Sequence, residues 1–361
     1  SFKKIQYNVL IRDIFDKSMR LILVIVFLAF GFGLGGIAFA YTIAIILTVV
    51  LLFYFLRKRE FIVFDKSIKA IFSTKELLIY SFPLTLSSLL TLLQKWTDIF
   101  ILGYYRTASE VGIYNISFST AALLSVIPTA LMSLFIPVIG NLFAQKRFKE
   151  IKEINSTVIK WIFIINLFFA SILIIFGKDL LRIVFGFEYT QGFLALTILA
   201  ISYLMLSITH IYTNNLLMVK RTKLVSLLVF ISTFIIILLN ILLVPKYGIN
   251  GAAMATISAT LVFLALVIIS SFTIIKLQPI NTAFIKSLLA GILTIVAMSY
   301  LYKIIPSNFF TLVVLILLTF IIYLILLLIF KCFSKDDLAL IKNIKDKLTS
   351  KLNHFNIFSN E

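Results

Sequence analysis

The chain has 361 residues, of which 61% are hydrophobic and only 13% are charged. A water-soluble fold cannot cover that much apolar surface, so the composition excludes a soluble enzyme, a disordered chain and a disulfide-stapled domain. Continuous apolar runs, rather than strict alternation, predict an all-α polytopic membrane protein and not a transmembrane barrel. The net charge of +18 therefore concerns the two sides of a bilayer, and nucleic acid is not an expected partner.

The apolar runs predict about ten spans, since one span needs about 20 residues. The first run is long enough for two helices, and a cluster of glycines at 31–36 predicts a turn between them. The predicted spans are 19–56 (two helices), 77–104, 112–143, 156–176, 190–219, 223–244, 250–275, 283–302 and 309–330.

Basic residues are distributed unequally between the segments that join these spans. One alternate set of segments contains 27 of the 33 Lys and Arg residues, the opposite set contains five, and Lys95 lies within a span. Because cytoplasmic loops are rich in Lys and Arg, this distribution predicts that both termini are cytoplasmic. The tail, 332–361, has apolar residues at helical spacing bordered by lysines, which predicts a basic amphipathic helix on the cytoplasmic leaflet.

Two segments of the chain resemble each other at an offset of 215 residues. Residues 33–44 read GLGGIAFAYTIA, and residues 248–259 read GINGAAMATISA. In each, a glycine precedes a membrane helix that has small residues on one face, as close helix packing requires.

Three segments, one of which contains the second copy of this repeat, resemble polysaccharide-biosynthesis membrane proteins. They are 97–115 (TDIFILGYYRTASEVGIYN), 137–151 (PVIGNLFAQKRFKEI) and 244–259 (VPKYGINGAAMATISA). These are Wzx-type flippases of the multidrug/oligosaccharidyl-lipid/polysaccharide exporter superfamily. The resemblance implies a MATE-like fold of two pseudo-symmetric six-helix lobes, followed by optional extra helices. It thus implies four parts of the chain: the end of an incomplete first lobe (1–60), a second lobe (61–276), two extra helices (277–331) and the tail (332–361).

On that template the first four helices of the first lobe do not occur in the chain, which begins with Ser1. With the repeat offset, we expect about 138 residues to precede Ser1, enough for four spans of about 20 residues with their loops.

The resemblance implies a non-enzymatic transporter that exports a lipid-linked oligosaccharide or polysaccharide precursor across the cytoplasmic membrane by alternating access. Its implied partners are the lipid-linked sugar and glycan-assembly enzymes, and the basic cytoplasmic segments predict attraction to anionic membrane lipids. A drug/cation antiporter of the same superfamily and a non-transporting scaffold of a glycan-assembly complex stay open as alternatives. The sequence contains no Walker loop, metal cluster or catalytic constellation, so no cofactor is predicted.

The third predicted span contains the candidate site. Lys95 and Asp98 are three residues apart and are expected on one helix face, as an ion pair, together with Ser88 and Thr91. Charges at bilayer depth usually face a cavity or each other. Lys95 would bind an anionic headgroup such as a pyrophosphate, and Asp98 would neutralise Lys95 or take part in ion coupling. A structural pair near the outer interface is the alternative.

The spans at 190–219 and 223–244 each have a polar face. The first predicts a second candidate site, at His210 and Asn214 in line with Tyr203 and Ser207, although a histidine there more often bonds a neighbouring helix. The second face has Ser226, Thr233 and Asn240 at intervals of seven residues. That spacing favours hydrogen bonds between helices over a substrate path.

Overall fold

The computed structural model describes residues 15–58, 74–275, 282–305 and 308–333, and the regular elements in these ranges are all helical. We number the α-helices in chain order. They are α1 (Asp16–Ala29), α2 (Gly33–Lys58), α3 (Thr74–Tyr105), α4 (Ala108–Ala122), α5 (Val126–Ala144), α6 (Phe148–Val184), α7 (Phe193–Met218), α8 (Thr222–Ile275), α9 (Thr282–Ile304) and α10 (Phe309–Ile329).

Within the described ranges, seven helical stretches are long and apolar enough to cross a membrane. One of them joins α4 and α5 through a short 3-10 turn, Leu123–Ser125. Another is α8, whose 54 residues exceed one bilayer crossing and whose helix is broken at Gly248. We call its two parts the first arm (222–247) and the second arm (249–275). The predicted class, an all-α multi-pass membrane protein, is confirmed. Two further predicted spans coincide with α1 and α3, which are not among the seven stretches that meet the criteria of length and apolar composition.

The chain divides into two compact units, 1–73 and 74–361. In the first unit α1 and α2 form a helical hairpin. Its turn has Gly31 and Gly33 at φ 78° and 56°, angles that glycine adopts without steric cost. A Cβ on Gly36 would lie 2.6 Å from the Cβ of Phe32, so the predicted glycine turn is present and its packing requires a glycine at this position.

Polar contacts also join α1 to α2. Asp16 is buried, accepts a 3.1 Å hydrogen bond from the Thr48 hydroxyl and pairs with Arg20 at 2.7 Å. A carboxylate with both a donor and a cation is well compensated for its burial.

In the second unit, α6 and α7 form the centre. Their apolar faces meet both arms of α8 in the largest cluster, where Phe163, Ile162 and Ile211 have no exposed surface. The helix α3 packs along α8. Of Ser226, Thr233 and Asn240, which were predicted to join helices, the first and the last do so. The Ser226 hydroxyl lies 2.7 Å from that of Ser87, and Asn240 donates to Asp98.

The two C-terminal helices pack against α6. Tyr323 of α10 donates to the carbonyl of Ile164 at 2.9 Å, and Tyr302 of α9 donates to Asp179 at 2.6 Å. A Cβ on Gly291 would lie 2.3 Å from a Leu167 methyl. The division of the chain into lobe remnants and extra helices nevertheless stays a prediction. The predicted tail helix lies outside the described residues, apart from Cys332 and Phe333.

The break in α8 resembles the turn before α2. Gly248 has a φ of 55°, against 56° at Gly33, its counterpart in the sequence repeat. Gly251, the counterpart of Gly36, is equally confined, since a Cβ there would lie 2.4 Å from the carbonyl oxygen of Leu243. The repeated segments therefore share a local conformation as well as a sequence pattern.

Arg106, which follows α3, ties this break to the rest of the second unit. Its guanidinium donates to the carbonyl of Pro245 at 2.9 Å and to that of Val244 at 3.4 Å. Carbonyls at a helix end have no partner within the helix. Arg106 therefore caps the first arm of α8 and fixes the position of the turn.

Candidate functional site

The candidate site centres on the carboxylate of Asp98 in α3, which is 1% exposed. Tyr114 and Thr256 both donate hydrogen bonds to Oδ2, at 2.6 and 2.7 Å. Asn240 donates to Oδ1 at 2.7 Å. The four residues come from α3, α4 and both arms of α8, so one buried carboxylate joins four helical segments.

These three donors explain how a carboxylate can be buried here. An unpaired charge in an apolar interior is very unfavourable unless hydrogen bonds replace its water. Hydrogen bonds to a charged acceptor are roughly twice as strong as neutral ones. The Asp98 cluster (Asp98, Tyr114, Asn240 and Thr256) therefore depends on all three donors.

One acceptor in the Asp98 cluster is unused. The amide nitrogen of Asn240 bonds both Asp98 and the carbonyl of Ile236, but its oxygen has no partner among the described residues. Carboxylate, amide and hydroxyl oxygens are the ligands that hard cations prefer. The cluster has the donor set for a proton or a small hard cation.

Aromatic side chains connect the Asp98 cluster to α7. The ring of Tyr114 lies 6.2 Å from that of Phe118, which makes an edge-on contact at 5.9 Å with Tyr203 of α7. Tyr203 was predicted to lie on a polar face of α7. In the structure its ring instead packs against this aromatic pair.

The predicted ion pair of Lys95 with Asp98 is wrong. Lys95 is exposed, its Nζ lies 5.9 Å from the centre of the Trp96 ring, and no ion pair in the described part of the chain joins it to Asp98. Residues three apart point about 60° away from each other around a helix. Asp98 falls on the face that packs against α4 and α8, and Lys95 falls beside that face.

Ser88 and Thr91 resemble Lys95 in their exposure. Both residues are exposed, and each hydroxyl donates to a carbonyl of its own helix, at 2.9 and 2.8 Å. The structure therefore divides the predicted site in two: the buried Asp98 cluster, and an exposed polar strip of Ser88, Thr91 and Lys95.

His210 and Asn214 are not brought to Asp98 by any contact within the described ranges. Asn214 donates to the carbonyl of His210 at 2.8 Å, and His210 is exposed. Ser207, predicted on the same face, is buried and bonds the carbonyl of Leu204 in its own helix. The predicted continuous polar face of α7 is thus interrupted.

None of the three partners of Asp98 was predicted as a site residue: Asn240 was expected only to join helices, and Tyr114 and Thr256 were not singled out. Tyr114 occurs in the segment that resembles polysaccharide-biosynthesis proteins, and Thr256 in the repeated segment. A buried acid needs hydrogen-bond donors from other helices. Polar residues inside these two motifs were the sequence feature that could have identified those donors.

Comparisons with known proteins agree with this architecture. Residues 83–242 match the MatE family model, and residues 3–143 match the model named Polysaccharide biosynthesis protein. Over 253 residues the chain is 27% identical to the probable low-salt glycan biosynthesis flippase Agl15 of Haloferax volcanii, covering 67% of this chain and 53% of that protein. It is 29% identical over 171 residues to the probable flippase AglR of the same organism, covering 45% and 34%.

An uncharacterized membrane protein of Methanocaldococcus jannaschii is 23% identical over 266 residues, covering 73% of this chain and 52% of that protein. The chain thus spans about half the length of Agl15 and of the Methanocaldococcus jannaschii protein.

The fold has a counterpart among solved structures. The lipid II flippase MurJ, in an inward closed conformation, superposes with a TM-score of 0.66 at 19% identity, covering 87% of this chain and 66% of MurJ. At that identity the likeness concerns the fold alone. Parts of the chain are therefore similar to the MatE and polysaccharide-biosynthesis families, and the chain has the MATE-like helical fold that its sequence motifs imply.

Proposed function

We propose that this protein is a flippase that moves a lipid-linked oligosaccharide, or a related polysaccharide precursor, from the cytoplasmic to the outer leaflet of the cell membrane. The names of its relatives Agl15 and AglR, and of the fold neighbour MurJ, support this function. It requires no covalent chemistry, and alternating access of two lobes around a central cavity is the expected mechanism.

The exposed Lys95 is the observation on which the proposal depends. Lys95 lies ten residues before Tyr105, the last residue of α3, or about 15 Å along the helix axis. That is about half the thickness of the hydrocarbon core. A cation there is unfavourable if it faces lipid, so it is expected to face a polar cavity.

The polar strip has the chemistry to bind a lipid-linked phosphate. An ammonium group offers three donors to phosphate oxygens, and no carboxylate in the described part of the chain neutralises Lys95. The hydroxyls of Ser88 and Thr91 extend the polar surface along α3. The anionic phosphate would bind at Lys95, with the sugars in the cavity. His210 and Asn214 are proposed as further contacts for the sugars.

Asp98 is proposed as the ion-coupling residue. Binding of a proton or a small cation would change which of its three hydrogen bonds form. Because those bonds join α3, α4 and α8, occupancy of Asp98 would alter the packing of these helices. That change gives the transport cycle a physical link to an ion gradient.

The proposed orientation places both ends of the chain in the cytoplasm. It is supported by the unequal distribution of Lys and Arg between the two sides. The basic loops would attract anionic lipids, and enzymes of glycan assembly are proposed neighbours at the same face.

Depletion of the full-length protein in its native cells tests this function. Lipid-linked sugar should accumulate in the cytoplasmic leaflet, and a plasmid copy should relieve the accumulation, whereas a Lys95→Ala copy should not. Unchanged leaflet distribution together with sensitivity to toxic cations would favour an antiporter. Full relief by Lys95→Ala would favour a scaffold.

A further inference from the structure

Three turns of the second unit share an unusual backbone conformation. In the described residues, the non-glycine residues with positive φ are Lys146 (58°), Lys220 (60°) and Lys331 (51°). Each closes the end of a helix, α5, α7 or α10 respectively. All three positions are occupied by the same basic residue.

Two of the turns repeat each other in sequence and in hydrogen bonding. Residues 141–147 read NLFAQKR, and residues 215–221 read NLLMVKR. In both, the lysine N–H bonds the carbonyl three residues back, and the following arginine N–H bonds the carbonyl five residues back, at 3.0–3.1 Å. This is the pattern of a Schellman C-cap, in which glycine usually occupies the left-handed position.

The side chain of lysine must contribute something that glycine would not. A Cβ makes the left-handed conformation unfavourable, whereas glycine adopts it freely. The helices that follow the first two lysine turns are α6 and the first arm of α8, and at their far ends the positive-φ residues are glycines, Gly186 and Gly248. The chain therefore uses glycine at one end of the unit and lysine at the other.

The two Lys–Arg turns lie side by side. Met218, just before the second turn, packs against a cluster that contains Leu142 of the first turn. Asn155 of α6 bonds Asn215 at 3.3 Å, which fixes α6 to α7 at this end. The turns thus belong to one surface.

The charge of this surface is strongly positive. Arg147 pairs with Glu150 at 2.7 Å and is partly neutralised. Lys146, Lys220 and Arg221 have no ion-pair partner within the described ranges. Exposed basic residues of the neighbouring helix starts enlarge the surface: Lys149, Lys152 and Lys223.

We propose that the paired turns at Lys146–Arg147 and Lys220–Arg221 form a binding site for the phosphate of an anionic phospholipid headgroup. The turns close the ends of membrane-spanning helices, which is the depth of the headgroups. Lysine and arginine together offer the donors that a phosphodiester accepts. This proposal gives the expected attraction between the basic loops and anionic lipids a defined binding site. Lipid binding at this site does not depend on whether the protein transports a lipid-linked sugar.

Lys146→Gly/Lys220→Gly tests the site without straining the backbone, because glycine accepts φ near 60°. The full 361-residue chain is purified in neutral detergent, and phosphatidylglycerol and phosphatidylcholine with the same acyl chains are titrated by native mass spectrometry. We expect the wild type to prefer phosphatidylglycerol. The double variant should bind it roughly 30-fold more weakly, given about 1 kcal/mol for each lysine near an anionic group.

The matched control is Lys178→Gln/Lys246→Gln, which removes the same charge from the opposite end of the unit and should leave lipid affinity nearly unchanged. The thermal midpoint of the glycine variant should equal or exceed that of the wild type. If the glycine variant folds poorly, Lys146→Asn/Lys220→Asn, which also accepts this φ, provides the same measurement. Equal affinities for the two lipids, an equal loss in the control, or displacement of phosphatidylglycerol by inorganic phosphate would overturn the proposal.

Discussion

Asn240 donates a 2.7 Å hydrogen bond to Asp98, while the oxygen of the same amide has no partner among the described residues. A free acceptor beside a buried carboxylate is energetically unfavourable unless something else binds there. This relationship is the physical basis for the proposal that Asp98 couples transport to an ion. A bound cation could be ligated by the free Asn240 oxygen and by a carboxylate oxygen of Asp98.

The first prediction concerns Asp98→Asn in the full-length protein. The amide keeps the size of the side chain but removes its negative charge. Transport should become slow and insensitive to an imposed proton or sodium gradient. Uptake or flipping rates with and without each gradient measure this effect. Gradient dependence equal to that of the wild type would exclude Asp98 as the coupling residue.

The second prediction concerns the stability of the Asp98 cluster. Tyr114→Phe removes a 2.6 Å hydrogen bond to a buried carboxylate, so it should lower the free energy of unfolding by about 1.5–3 kcal/mol. Thermal unfolding of the detergent-purified protein measures the loss. Tyr104→Phe is the control, because Tyr104 is 82% exposed. Equal midpoints for the two variants would show that the bond contributes nothing.

The third prediction concerns the break in α8. Gly251→Ala should destabilise the protein severely, because a Cβ would lie 2.4 Å from a backbone carbonyl that cannot move independently. Gly248→Ala should cost about 1–3 kcal/mol for its left-handed backbone. Gly112→Ala in α4 is the control, where a Cβ meets open space, and should be neutral or stabilising by up to about 1 kcal/mol. Expression level and thermal midpoint provide the ranking.

The spans could be predicted from the sequence because a hydrocarbon core imposes a length and an apolar composition on every helix. The glycine repeat was equally informative, since Gly33 and Gly248 share one backbone conformation. The expectation that Asn240 joins helices followed from the same patterns, and its hydrogen bond to Asp98 confirms it.

The partners of Asp98 could not be predicted, because they depend on how four segments rotate about their axes. A rotation of about 60° separates residues three apart on a helix. In the structure Lys95 is exposed and Asp98 is buried. Spacing alone assigns both residues to one face, and only the packing of α4 and α8 shows where that face ends.

The fourth prediction concerns orientation. Cys332 is buried, so its protection from thiol reagents cannot report on the side of the membrane. Two exposed positions can report instead: Ser109 beyond α3, and Glu153 near the start of α6. In intact cells, an impermeant maleimide should label Ser109→Cys and should label Glu153→Cys only after permeabilisation. The reverse pattern would invert the proposed topology.

The most direct test of the proposed function measures flipping in proteoliposomes that contain the full-length protein and a fluorescent lipid-linked oligosaccharide. An impermeant quencher reports the fraction of the label in the outer leaflet over time. Wild-type protein should accelerate exchange between leaflets. Lys95→Ala should reduce the rate at least about tenfold, the effect of losing about 1.4 kcal/mol of binding to the transported phosphate, and Lys178→Ala should leave it unchanged. Exchange by the wild type no faster than in protein-free vesicles, or equal rates for Lys95→Ala and the wild type, would contradict the account.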